Sequence, residues 1–378
     1  MAMTLDGSNG VTFNDSSLQG AAASPFGLKN RIINGAMMID QRNAGASVTP
    51  TDGQYTVDRW QCWVDAASKL TAQQSTTVPT GYKNSLLITS TSAYSIASAN
   101  QFSLLQPIEG LNVSDLGWGA AGALTVTLSF WARSSLTGTF GGWIRNSAGD
   151  RSYVFSYSIS SANTWEYKSV TIAGDTTGTW LTTNGVGIYV GFSMGAGSSK
   201  VTTAGSWGST AYYGVTGQQN LVANNGATFY VTGTQLEIGS TATPFERRLY
   251  NQELANCQRY FETNFSGVTI PQNTYSYYCI ATVGSNTYAG GAGASQQIVG
   301  PFMYRVTKRA SPTVTIYSWS SSSTERVSNG WTGADFAANS GKLNISGYDG
   351  FSFYNNSGSN ITTGGYSLIF NYTASAEL

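Results

Sequence analysis

The chain has 378 residues, more than one ordinary core holds, so two or three units are expected. Only 10% of its residues are charged against roughly 25% in soluble proteins at large, the formal net charge is zero and 13% are aromatic. That composition excludes disorder, which needs few aromatics and a high net charge, and with no basic run it excludes nucleic acid as a partner. There is no histidine. A Ser-His-Asp triad, a His-ligated metal and an imidazole acid or base are therefore all unavailable.

In chain order, residues 1–30 mix small and polar residues with isolated apolar ones, a pattern of an attachment or trimerising segment rather than an independent domain. The start MAMTLDGSNG lacks a basic, then apolar signal, and nothing approaches an apolar run of 18, so synthesis in a cytosol without membrane insertion is expected. Residues 31–245 carry short alternating runs between Gly, Asn and Ser turns, the signature of a β-sandwich or jelly roll. Strands are predicted at 85–89, 124–131, 153–159, 166–172, 186–192 and 228–238. In 124–131, Leu124, Val126, Leu128 and Phe130 face one way and Thr125, Thr127, Ser129 and Trp131 the other; in 186–192, Val186, Ile188, Val190 and Phe192 oppose Gly187, Tyr189 and Gly191.

Residues 245–263 concentrate charge and place Leu254, Cys257 and Phe261 at helical spacing, so 246–265 is read as a short linking helix, with Arg247 and Arg248 available to Glu246 or Glu253. Alternation returns at 276–283, 297–307, 313–319 and 366–374, implying a smaller C-terminal β-sandwich over 266–378, with Pro301 and Pro312 at strand starts or edges. The fold class is thus all-β throughout. Cys62, Cys257 and Cys279 are odd in number and lack CxxC spacing, which points to buried, inert thiols.

Gly191-Phe192-Ser193-Met194-Gly195 matches GxSxG, but no helix pattern follows it and no histidine exists to take the serine's proton. Glu109, Asp115, Asp150, Glu166 and Asp175 are available for carboxylate-pair glycan cleavage, yet nothing in their spacing pairs them. DxDxDG calcium spacing is absent, and neither a metal nor a cofactor is expected. Binding a sugar asks only for aromatic faces and neighbouring amides or hydroxyls. The candidates are Trp131 and Tyr189 on a wet strand face, Trp143, Trp207, Tyr212 and Tyr213 in loops with Trp118, and Trp319 and Trp331 with Tyr317 near the end. For any one of them a plain packing role is the stronger reading.

NRIINGAMMIDQRNAG at 30–45, YTVDRW at 55–60 and TQLEIGSTATPFERRLYNQELANCQRYFET at 234–263 resemble bacteriophage tail fibre and receptor-binding proteins. TLDGSNGVTFNDSSLQGAA at 4–22, RVTKRASPTVTIYS at 305–318 and YTASAEL at 372–378 are similar to their opening and closing segments. The resemblance implies a carbohydrate-binding-module-like jelly roll in a homotrimeric fibre of the virion. Residues 1–30 would dock on a tail or baseplate protein, and the fibre would bind a host surface polysaccharide without cleaving it. On the residues themselves, Tyr55, Asp58, Arg59 and Trp60 and the 234–263 block read as structural. A purely structural head, collar or tail decoration is the competing class, and a glycan-degrading tailspike a third.

Overall fold

The computed structural model describes residues 29–265, 267–271, 279–282, 297–330, 332–336, 338, 340–355 and 367–378, and the short strands Thr4–Asp6, Gly10–Thr12 and Leu18–Gln19. Those three strands pair in order as a small sheet of their own. The rest is built around two hydrophobic cores.

Around the first core two antiparallel sheets face each other as a jelly-roll-like sandwich. The larger runs Trp207–Gly208, Ser152–Ile159, Gly138–Arg145, Val186–Ala196, Gln101–Glu109, Gln61–Val64 and Gln54–Tyr55. The smaller runs Glu166–Ile172, Val126–Ser134, Thr228–Ile238, Ser85–Ser90 and Leu70–Ser75. Alternation sets which side chains enter: Phe130, Leu128 and Val126 come from one sheet, and Phe192, Val190 and Ile188 from the other, all buried. Phe130 meets Phe192 edge-on at 4.9 Å between centroids, which ties the two sheets at their middle.

The six strands expected in this region are all present, four with ends moved by one to four residues. Residues 101–109 carry no alternation because both faces of this strand are covered and it is buried along its whole length. In 138–145 the Gly141-Gly142 pair stays in a strand. A Cβ at Gly142 would collide with the Phe155 ring, so the absent side chain is what admits that ring.

The helix is shorter than its spacing predicts. It spans Tyr250–Gln258, and Phe261 lies in the strand Phe261–Thr263. The competing claim on Phe261 is backbone pairing: 261–263 forms an antiparallel ladder with Ser375, Ala374 and Thr373. That ladder edges the second core, where the long strand Ser367–Ser375 is flanked by Phe261–Thr263 and Cys279–Thr282 on one side and Thr313–Ser318 and Ser328–Asn329 on the other. A second sheet, Gln297–Met303, Gly350–Asn355 and Lys342–Ser346, supplies Val299, Phe351 and Phe353 to the same core. Pro312 immediately precedes a strand, and Pro301 sits on an edge strand at a break in register between Val299 and Phe302, as proline's missing donor requires. The expected strand at 276–283 is described only over 279–282.

Between the two cores lies a seam of buried charge. Glu109 receives Arg259 at 2.7 and 3.0 Å and the Tyr260 hydroxyl at 2.6 Å. Glu377 is paired with Arg59 and, at 2.7 Å, with Arg42. Arg59 lies over the Tyr260 ring and Arg42 over Phe261, each at 3.6 Å from the centroid. Lys308 and Glu262, both without solvent exposure, pair at 2.6 Å, and Glu262 also accepts from the Tyr372 hydroxyl. Such pairs specify an arrangement because each charge would be stranded without the other.

Candidate functional site

The outward side chains of the larger sheet converge on an aromatic cluster. Pairing register places Trp143 opposite Gly191, Gly191 opposite Leu105, Trp63 opposite Ser103, and Arg145 opposite Tyr189. Trp143 lies across Gly191, where any Cβ would enter its indole, and its Nε1 donates to the Ser103 hydroxyl at 3.2 Å. Trp63 stacks on Trp143 with centroids 5.6 Å apart and planes 24° apart, and it tilts against Tyr189 at 5.2 Å. Tyr213, from the covering loop, stands edge-on to Trp143 at 5.2 Å and to Trp63 at 6.2 Å. Leu105 and Val154 from the sheet and Val215 from the covering segment are buried in the same cluster.

Arg145 enters this cluster with its guanidinium 4.9 Å from the Trp63 ring centroid, 5.0 Å from Tyr189 and 5.4 Å from Tyr213. Its Nη1 donates to the Tyr213 hydroxyl, and its Nε is buried with no acceptor. Burial raises the Tyr189 phenol above its ordinary range, an effect the adjacent guanidinium partly offsets. Trp63, Tyr189, Tyr212, Tyr213 and Arg145 keep partial exposure, whereas Trp143 has none.

The structure therefore joins Trp143, Tyr189, Tyr212 and Tyr213 and separates the others. Trp131 does not share a face with Tyr189. It belongs to the opposite sheet, where it faces outward 5.5 Å from Tyr167, because the two strands are in different layers of the sandwich. The space above Gly191 is filled by the chain's own Trp143, and Trp143 is a strand residue rather than a loop one. Trp207 forms a three-tryptophan packing with Trp118 and Trp180, at 5.3 and 5.4 Å, that closes one edge of the first core. Trp319 is half-buried over Gly333, beside a cluster in which Ser318, Ser320, Ser321 and Ser328 all donate to Asp335. Tyr317 packs edge-on to Phe265. Trp331 lies outside the described residues.

Sequence reasoning missed Trp63 and Arg145. The signal for Trp63 was the outward position in Gln61–Val64, where Cys62 and Val64 point inward; a four-residue strand is too short to show a period.

The five candidate carboxylates are engaged elsewhere. Glu109 is held by Arg259 and Tyr260, Asp115 by Arg31 at 2.6 Å, Asp150 by Asn146, Glu166 by Lys168 at 2.7 Å and Asp175 by Arg151 at 2.7 and 2.8 Å. Burial works to raise the Glu109 carboxyl, but Arg259 and Tyr260 outweigh it and hold the group below its usual range. Ser193 sits inside a strand rather than on a turn, 1% exposed, with its hydroxyl accepting from Gln218 Nε2 at 2.7 Å. Burial pushes the Cys62 thiol up to about 12 and the Cys279 thiol to about 11, and raises Cys257 strongly, so none is a ready nucleophile. Among the described residues no group of three or more Cys, Asp or Glu is placed to hold a metal, and no helix is long and apolar enough to cross a membrane.

No protein-family model matches the chain, and no curated protein matches it in sequence. Among solved structures it is similar to the enzymatically active domain of tailspike protein 4 of bacteriophage CBA120, at 13% identity and a TM-score of 0.30 over 56% of this chain. The chain spans only 22% of that tailspike's length. It is similar also to a putative sugar binding protein of Bacteroides thetaiotaomicron, at 14% identity and a TM-score of 0.33 over 56% of this chain and 100% of that one. A third is the family 11 carbohydrate-binding module of a cellulosomal cellulase of Clostridium thermocellum, at 13% identity and a TM-score of 0.28 over 52% of this chain and 98% of that one.

Proposed function

We propose that this chain is an adhesive virion fibre protein that binds a bacterial surface glycan on the outer face of the larger sheet and does not cleave it. The observation that carries this reading is the cluster of Trp63, Tyr189, Tyr213 and Arg145, a partly exposed aromatic surface on a rigid sheet. Stacking on ring faces with a few placed donors is what sugar recognition requires. The structural bonds made by all five candidate carboxylates, and by Ser193, support binding without cleavage.

In this reading residues 31–245 and 266–378 are two β domains joined through 246–265, residues 1–30 attach the fibre to a tail or baseplate protein, and three copies assemble. Exposed apolar side chains support subunit contacts: Met303 and Ile345 are each 65% exposed, and Leu249 is 80% exposed at the helix start.

The experiment is binding of the purified chain to host cells and to their extracted surface polysaccharide, with the size of the polysaccharide followed in the same tube. Saturable binding with unchanged size is the expected result. Shortening of the polymer would overturn the non-cleaving assignment, and absence of binding would leave a purely structural virion part. Sedimentation should give three times the chain mass.

A further inference from the structure

The basic side chains of this molecule are mostly accounted for from within. Arg31, Arg42, Arg59, Arg151, Arg248 and Arg259 each have a carboxylate within 4 Å. Arg305 and Arg309 donate to main-chain carbonyls, and Arg133 and Arg247, lying on Tyr230 and Tyr82, do the same. Arg145 differs from all of these. Its Nη1 donates to a phenol, its Nε has no acceptor, and none of the described carboxylates lies within salt-bridge distance of it. Four ring faces surround it, with Trp143 at 5.8 Å completing the set. The Lys200 ammonium, which also lacks a carboxylate partner among the described residues, stands 5.6 Å from the Tyr213 centroid.

Ring faces attract a cation, but they do not neutralise it, and they keep water from part of its surface. A guanidinium in such walls gains most from an acceptor that is itself charged, planar and two-pronged, because its N–H groups form a fixed fork. A neutral sugar offers hydroxyls, which supply acceptors but no counter-charge. A sugar acid offers both from one residue: a pyranose ring to lie on the partly exposed Trp63 and Tyr189 faces, and a carboxylate at the ring's edge. Resting on the glycan-binding reading above, we propose that the glycan recognised on this face is acidic, and that Arg145 receives the carboxylate of a uronic or sialic acid residue while Trp63 and Tyr189 carry its ring. Lys200 contributes attraction from the rim.

The test uses the full chain and reads tryptophan fluorescence and calorimetric heat. The probes are galacturonate, glucuronate and N-acetylneuraminate, each beside its neutral counterpart, galactose, glucose or N-acetylmannosamine. At least one acidic probe should bind about tenfold or more tightly than its counterpart, and added salt should weaken it. R145Q should lose about tenfold or more, R145K should fall between R145Q and the native chain, and W63A should lose binding of acidic and neutral probes alike. Near-ultraviolet circular dichroism of each variant shows whether the fold is retained, and R145K keeps the test decisive where R145Q does not fold. Equal binding of neutral and acidic probes, lost in W63A but unchanged in both Arg145 variants, would overturn the acidic assignment and leave glycan binding standing. No binding of any probe, with the extracted host polysaccharide still bound, would overturn it likewise. Failure of that polysaccharide as well would remove the underlying reading.

Discussion

The seam between the two cores and the outer face of the larger sheet both place charge among aromatic rings, and they treat it in opposite ways. In the seam Arg59 and Arg42 lie on Tyr260 and Phe261 at 3.6 Å, and each is also paired with Glu377. On the outer face Arg145 has the rings without the carboxylate. A charge matched inside the chain fixes the position of its neighbours. A charge left unmatched beside partly exposed rings is available to something outside the chain.

Removing charge should therefore be costly in the seam and nearly neutral on the face. Glu262→Gln strands the buried Lys308 ammonium and should lower unfolding free energy by about 3–5 kcal/mol, measured by denaturant titration. A loss below about 1 kcal/mol would break the comparison. Asp58, fully buried and bonded to the Gln41 main chain and side chain at 2.6 and 2.8 Å, sharpens it from another direction. Burial raises its carboxyl to about 6, against about 3.9 in an unfolded chain. Between those values the folded chain holds the extra proton, so this group's contribution to stability falls as pH rises. The stability of Asp58→Asn relative to the native chain should thus shift in the variant's favour by about 2–3 kcal/mol from pH about 4 to about 7. A difference independent of pH would show that Asp58 titrates normally.

Gly191→Ala tests the floor of the face. The new methyl group would enter the Trp143 ring, so a loss of about 1–3 kcal/mol and a change in tryptophan emission are expected. Arg145→Met should change stability by no more than about 1 kcal/mol in either direction, because no buried partner is stranded. A cost comparable to that of Glu262→Gln would make Arg145 a structural residue.

Much of the fold could be read from alternation alone. In 126–131 and 188–192 Val126, Leu128, Phe130, Ile188, Val190 and Phe192 enter the core as the period shows, whereas Leu124, read with them, lies before the strand and is 39% exposed, and Val186 stays outside the core. Where both faces are covered, as along 101–109, the period disappears and the strand is hidden. The helix was legible, but its end was not, since the pairing of Phe261 with Ser375 is decided by residues more than a hundred positions away. The face was legible only in pieces. Tyr189 could be placed outward by parity, but parity says nothing about which sheet Trp131 joins. Nor could it show that the indole lying on Gly191 would come from a neighbouring strand of the same chain.

The blocks at 30–45, 55–60, 234–263 and 372–378 are distant in sequence, and residues from each meet in the seam: Arg42, Arg59, Arg259 and Glu377. Arg59 and Glu377 are 318 positions apart. Contacts that close so long a loop are made after the local strand pairs that reward closure, so the seam belongs late in the folding reaction. Its residues then govern how long the folded chain lasts rather than how fast it forms. Glu377→Gln should speed unfolding and leave the refolding rate nearly unchanged in stopped-flow measurements, making the seam the element that sets the lifetime of the folded state.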